Sequence, residues 1–209
     1  MPLFAISREL DPQLRPDERE AMTMRSLIVG AFFPAVRWQR SFVIDQPDRL
    51  SSLCIFEGPS LPEVAEVSRC ARVPFSEIRE VTEDLPSDWI DPESNRTPEG
   101  AKRYLIYRTI PPEWGDDEFG GAIKRSTLCI GEHDELAWDR SYGDAALRNS
   151  WCIFWAPNAQ MLEDHAHWTR LPCDTVDEVV EVLPSEWAHV YDGLGLPRHW
   201  EIVPAASEA

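Results

Sequence analysis

The segment VRWQRSF at residues 36–42 returns as LAWDRSY at residues 136–142, and no other feature limits the fold of this chain as tightly. Trp38, Arg40 and Ser41 stand one hundred positions before Trp138, Arg140 and Ser141, and Arg25-Ser26 keeps the same register with Arg125-Ser126. Further along the offset shrinks by two. Cys54-Ile55-Phe56 maps on Cys152-Ile153-Phe154, Pro74 on Pro172, and Leu85-Pro86-Ser87 with Trp89 on Leu183-Pro184-Ser185 with Trp187. A single two-residue deletion accounts for the slip, and a fixed long period marks duplicated structural units.

Each copy opens on an alternating segment, residues 4–9 and 104–109, with the period of a half-buried strand. A turn rich in Pro and acidic residues then leads into a helix after Pro16 and after Asp116. Pro16 suits a first helical turn, where its missing N–H loses nothing, and Asp17, Glu18, Asp116, Asp117 and Glu118 complement the helix dipole. Ala21, Met24, Leu27, Ile28 and Ala31 recur at helical spacing. Second strands fall at 36–44 and 136–142, and third strands at 52–57 and 150–155. Second helices start from Ser60 and Asn158, and last strands run over 77–83 and 175–182.

The order is βαββαβ, twice, the arrangement of a four-stranded antiparallel sheet with both helices on one face. This predicts a first repeat over 1–90, a linker over 91–101, a second repeat over 102–189 and a tail over 190–209. The linker has Pro, Gly, Ser and Asn and no apolar period; in the tail, Leu194, Leu196, Trp200 and Ile202 are apolar enough to dock. Each sheet leaves one face needing cover. The expected fold class is therefore α+β, with tandem ferredoxin-like repeats packed sheet against sheet as a pseudo-dimeric α+β barrel. Both a monomer and a dimer of such pseudo-dimers are compatible with that plan.

The formal net charge of -17, without any basic run, argues against nucleic acid and against anionic membranes as partners. The start MPLFAISREL lacks a basic segment followed by an apolar one, and nowhere do about 18 apolar residues follow one another, so a cytoplasmic protein is expected. Five cysteines without a CxxC pair fit neither a disulfide framework nor a zinc ribbon. Cys54 and Cys152, at matched places in apolar strands, read as small buried hydrophobes.

All five histidines and seven of the nine tryptophans lie in the second half of the chain, so a specialised site is sought there. Strict alternation puts Phe4, Ile6 and Arg8 on one strand face, and likewise Tyr104, Ile106 and Arg108. It does the same for Trp38, Arg40 and Phe42, and for Trp138, Arg140 and Tyr142. If those faces line the space between the sheets, Arg8, Trp38, Arg40, Arg108, Trp138, Arg140 and Tyr142 wall a pocket suited to a planar anionic small molecule. If they face the helices, the arginines must reach solvent or pair with Glu80 and Glu178. His165 and His167 subtend about 200° on a helix and do not chelate one ion together. A metal at His165 would draw further ligands from elsewhere, such as His133 with Glu132, Asp134 and Glu135. GxSxG, HExxH, P-loop and Rossmann patterns are absent, and no nucleophile has a visible base.

The starts FAISREL and RYLIYRTI, the VRWQRSF and LAWDRSY strands, the CIF strands and a second helix leading to Pro74 or Pro172 resemble the DUF4242 family over nearly the whole chain, as two fused copies. That family is described as nickel-binding or nickel-responsive, with a ferredoxin-like fold assembled as a dimeric α+β barrel. Its second helix carries a His-Ala pair about where His165-Ala166 precedes Pro172 here; the first copy has Val67 at that place. The resemblance implies a site for nickel or another divalent transition metal at His165, with His133 as a further candidate. The expected function is a binding protein for a metal ion or small molecule, without an assigned catalytic role. The competing class is an isomerase-, cyclase- or oxygenase-like enzyme acting on an aromatic or anionic metabolite through Arg40, Arg140 and His165; a third is an interaction scaffold.

Overall fold

The structure, a computed structural model, describes residues 1–86 and 89–201. The first copy forms β1 (Leu3–Leu10), α1 (Pro16–Gly30), β2 (Arg37–Gln46), β3 (Arg49–Glu57), α2 (Leu61–Cys70) and β4 (Glu77–Asp84). The second forms β5 (Lys102–Thr109), α3 (Asp116–Glu132), β6 (Ala137–Asp144), β7 (Asn149–Ala156), α4 (Ala159–Thr169), β8 (Thr175–Glu178) and β9 (Val180–Val182), followed by α5 (Ala188–Leu194). Pro16 occupies the first turn of α1. Ser60 and Asn158 cap α2 and α4 through the backbone N–H groups of Glu63 and Met161. The last strand of the second copy is two strands, β8 pairing with β5 and β9 lying beside β2.

The chain divides into two compact units, and the division falls inside strands. Unit 1 contains residues 1–80 and those from 181 onward, and unit 2 contains residues 81–180. In unit 1 the sheet order is β4-β1-β3-β2-β9, and in unit 2 it is β8-β5-β7-β6-β4. Unit 2 thus takes its edge residues Val81 to Asp84 from the end of β4, paired with Asp144 to Ser141 of β6. The segment 91–101 is held in unit 2 as well. Asn95 accepts from the Trp138 N–H and donates to the Trp138 carbonyl, both at 2.8 Å.

A β-bulge corrects the strict alternation expected in the second strands. Trp38 pairs with Phe56 but Arg40 with Ile55, and Trp138 pairs with Phe154 but Arg140 with Ile153. The extra residue reverses the phase. Trp38 and Trp138 therefore share a face with Phe56 and Phe154 under the helices, whereas Arg40, Arg140 and Tyr142 are on the opposite face.

Under the helices of unit 1, Phe4, Ile6, Val36, Cys54, Val64 and Val67 form one apolar cluster. A second cluster joins Leu27 of α1 to Val190 and Tyr191 of α5, with Leu196 and Trp200 packed against it. The tail docks as its apolar residues predict, with two qualifications: Leu194 is exposed, and Ile202 lies outside the described residues. In unit 2 the matching core is Tyr104, Ile106, Ile130, Leu136, Trp138, Phe154, Ala156 and Leu162. Replacing Asn158 by Ala should cost unit 2 about 1 kcal/mol, the usual worth of such a cap. Urea unfolding checks this, and an unchanged midpoint would show that the 3.0 Å cap bond to Met161 N–H is not stabilising.

Candidate functional site

Arg8 and Arg108 sit at matched places on β1 and β5, facing the helices, and each ties its strand to the loop after the second helix. Arg8 Nη1 donates to the carbonyls of Pro74 (3.0 Å) and Val73 (3.4 Å), and its Nη2 donates to Ser68 Oγ (2.9 Å). Arg108 Nη1 donates to the carbonyl of Pro172. Ala166 replaces Ser68 in the second copy, and Arg108 Nε and Nη2 are buried without a partner among the described residues.

The space beside these arginines differs between the copies. In unit 1 a cavity of about 300 Å³ lies between the helix-facing side of the sheet and α1 and α2. Arg8, Trp38, Ser41, Ser52, Cys54 and Phe56 line it from the strands, Leu27, Gly30, Val67 and Ser68 from the helices, and Tyr191, Leu196 and His199 from the tail. Gly30 is decisive. A Cβ built there meets no atom within 4 Å, whereas its counterpart Ile130 is buried in the core of unit 2. His199 Nε2 bonds the Trp38 carbonyl at 2.8 Å, closing the tail over the cavity. Burial pushes the His199 imidazole below its ordinary value and the Tyr191 hydroxyl up to about 12, so both side chains are neutral at pH 7.

In unit 2 the corresponding space holds His165, which replaces Val67. Its ring is fully buried, 5.5 Å from that of Phe154, with Nε2 at 2.9 Å from Ser126 Oγ and Nδ1 without a partner among the described residues. Burial, then Arg108 and His133, hold its pKa down at about 3. His133 ends α3, and its ring stacks on Trp168 at 5.1 Å. Trp138 is a core residue, its Nε1 donating to Ser141 Oγ at 2.9 Å.

On the opposite faces, Arg40 pairs with Glu181 at 2.7 Å in unit 1. In unit 2, Arg140 and Tyr142 converge on Glu83 at 3.0 and 2.8 Å. The ion-pair partners are thus Glu181 and Glu83, three residues beyond the Glu178 and Glu80 considered from sequence. In unit 1 Arg40 does not share a face with Arg8, and in unit 2 Arg140 does not share one with Arg108 or His165. Sequence reasoning missed Gly30, Ser68, Tyr191 and His199. The legible signal was Gly30 aligned with Ile130, a side chain missing from one copy at a core position.

Fold and site together define an α+β protein with a large antiparallel sheet, helices packed on it and a cavity of about 300 Å³ between helices and sheet. The chain belongs to the SCO4226-like family of nickel responsive proteins, whose sequence profile matches residues 4–81 and again residues 104–179. No curated protein matches it in sequence. In three dimensions it is similar to chlorite dismutase from Candidatus Nitrospira defluvii in complex with imidazole, at 6% identity and a TM-score of 0.52, over 92% of this chain and 93% of that one. A variant of the same protein gives 7% identity and a TM-score of 0.53 over 92% and 93%. At such identities the likeness is one of fold.

The family name raises nickel as a resident ion. His165 offers one neutral nitrogen beside the Arg108 guanidinium, whose charge opposes a cation there. Among the described residues no group of three or more His, Cys, Asp or Glu side chains is placed to hold a metal ion. This donor set does not fit a resident nickel centre. No helix among the described residues is long and apolar enough to cross a membrane.

The buried imidazole makes stability depend on pH with a definite sign. An unfolded chain protonates His165 below its ordinary value of 6.5, while the folded one resists down to about 3. Stability contributed by the neutral ring is therefore complete above 6.5 and falls as pH drops, at up to roughly 1.4 kcal/mol per pH unit. In His165→Val, which adopts the residue of the first copy, the loss between pH 7 and pH 5 should shrink by roughly 2 kcal/mol. Urea unfolding at the two pH values decides it, and an equal loss in both proteins would contradict the assigned burial effect.

Proposed function

We propose that this chain is a cytoplasmic small-ligand-binding protein made of two fused ferredoxin-like repeats, of which the first holds the ligand between helices and sheet. The observation that carries the reading is the cavity of about 300 Å³ in unit 1, at the low end of the range for small-molecule sites. Its counterpart space in unit 2 is occupied by core side chains. A core position left as glycine in one copy and filled by isoleucine in the other gives up packing, and room for a guest accounts for that loss.

Family membership supports a second reading, in which nickel or another divalent transition metal binds. His165 and His133 are then the first residues to vary, although the donor set ranks this reading below the first. Titration of the chelator-stripped protein with nickel, beside His165→Ala, separates the two. An enzymatic role acting through Arg40, Arg140 and His165 has less support, because the arginines are committed to Glu181 and Glu83, and in unit 2 Arg140 lies on the face away from His165.

Gly30→Leu tests the cavity directly. Leucine at a helix end is compatible with helix formation, and its side chain enters the open space. The neutral fluorophore N-phenyl-1-naphthylamine should brighten on binding the wild-type protein and bind Gly30→Leu at least about tenfold more weakly, a difference near 1.4 kcal/mol. The thermal midpoint of the variant should stay level or rise. Equal binding by both proteins, or none by the wild type, would overturn the reading.

A further inference from the structure

We infer that the unit 1 cavity takes an organic anion, a mostly apolar body ending in a carboxylate or similar head that lies against Arg8. This rests on the reading of the cavity as a ligand site. In a protein of net charge -17, the cavity is lined by Arg8, Arg19 and Arg37, and by no Asp or Glu among the described residues.

Two of these arginines are already neutralised, Arg19 by Asp45 at 2.7 Å and Arg37 by Glu57 at 3.9 Å. Arg8 is not. It is 7% exposed, its hydrogen-bond partners are two carbonyls and a serine hydroxyl, and among the described residues no carboxylate reaches it. A buried charge without a counter-ion is costly, and an anionic guest would supply one. Of the five N–H donors of a guanidinium, those three bonds leave Nε–H and one Nη2 hydrogen for a further acceptor. Ser68 Oγ accepts from Arg8, so its own hydrogen can turn to the same head group. Ser52 is the cross-strand neighbour of Arg8 and adds a second hydroxyl on the cavity wall.

The rest of the lining selects the body. Leu27, Val67, Phe56, Trp38 and Leu196 surround a volume suited to a medium-length acyl chain or a one- or two-ring aromatic. The second copy lacks this combination: Arg108 keeps its Pro172 carbonyl, while Ala166 stands for Ser68 and Ile130 for Gly30.

The test compares three probes with one body and different heads, decanoate, decan-1-ol and decylamine. Isothermal titration at pH 7.5, below micelle-forming concentrations, measures each on the wild-type protein and on Gly30→Leu. Decanoate should bind the wild type at least about tenfold more tightly than decan-1-ol, decylamine should bind more weakly than both, and Gly30→Leu should lose all three. Equal affinity for decanoate and decan-1-ol would overturn the anion assignment while leaving the cavity as a ligand site. Absence of binding by every probe would overturn both. Because the head-group ratio is read on the wild type, it does not depend on any variant folding. Arg8→Met, where it folds, should bring decanoate down to the affinity of decan-1-ol and leave decan-1-ol unchanged; an undiminished preference for decanoate would place the head group elsewhere and overturn the role of Arg8.

Discussion

One extra residue in each second strand, Gln39 in β2 and Asp139 in β6, sorts the side chains on which everything else depends. Before the bulge the strand turns its tryptophan toward the helices; after it, serine takes that side and arginine the other. The arrangement satisfies both groups at once. Each Trp Nε1 finds a serine hydroxyl three residues on, at 2.9 Å, within the buried layer. Each arginine reaches a glutamate on the opposite face, where the pair is only partly exposed. Without the bulge a second guanidinium would enter the layer that already buries Arg8 or Arg108, at a desolvation cost with no carboxylate to offset it.

On this shared frame the two copies have separated in character. Both keep an arginine bonded to the proline carbonyl after the second helix, which fixes strand to loop. They differ in what fills the neighbouring volume. Ile130, His165 and Ala166 make a packed interior in unit 2, with a histidine held neutral by burial. Gly30, Val67 and Ser68 leave unit 1 open and give its arginine one more hydroxyl partner. A fused duplication permits such divergence, since one copy can carry the packing while the other keeps open space.

The repeat, the element order and the helix caps were legible in the sequence because each depends on local chemistry: turn residues, Pro16, Ser60, Asn158 and the alternation of β1 and β5. The faces of β2 and β6 were not, since a bulge changes the phase of a strand without leaving a glycine or proline to mark it. The candidate site was legible only in part. Arg8, Trp38 and Arg40 read from sequence as walls of a pocket between the sheets; Arg8 and Trp38 line instead a cavity on the helix side, and Arg40 faces away from it. The cavity itself was hidden, because empty space is written in residues that are small, and Gly30 becomes informative only when Ile130 is set beside it. The contribution of Tyr191 and His199 was hidden for another reason: the tail has no counterpart in the first copy, so the repeat gives no frame for placing it.

The division of the chain has a consequence for biosynthesis. Every residue of unit 2 has been polymerised once Val180 is added, whereas unit 1 still awaits Glu181 and the segment that carries Tyr191 and His199. Domains generally fold as units while the chain emerges from the ribosome, the N-terminal one first. Here the order is inverted: the unit that begins first is completed last, and its cavity gains its final wall only after every residue of unit 2 has been made.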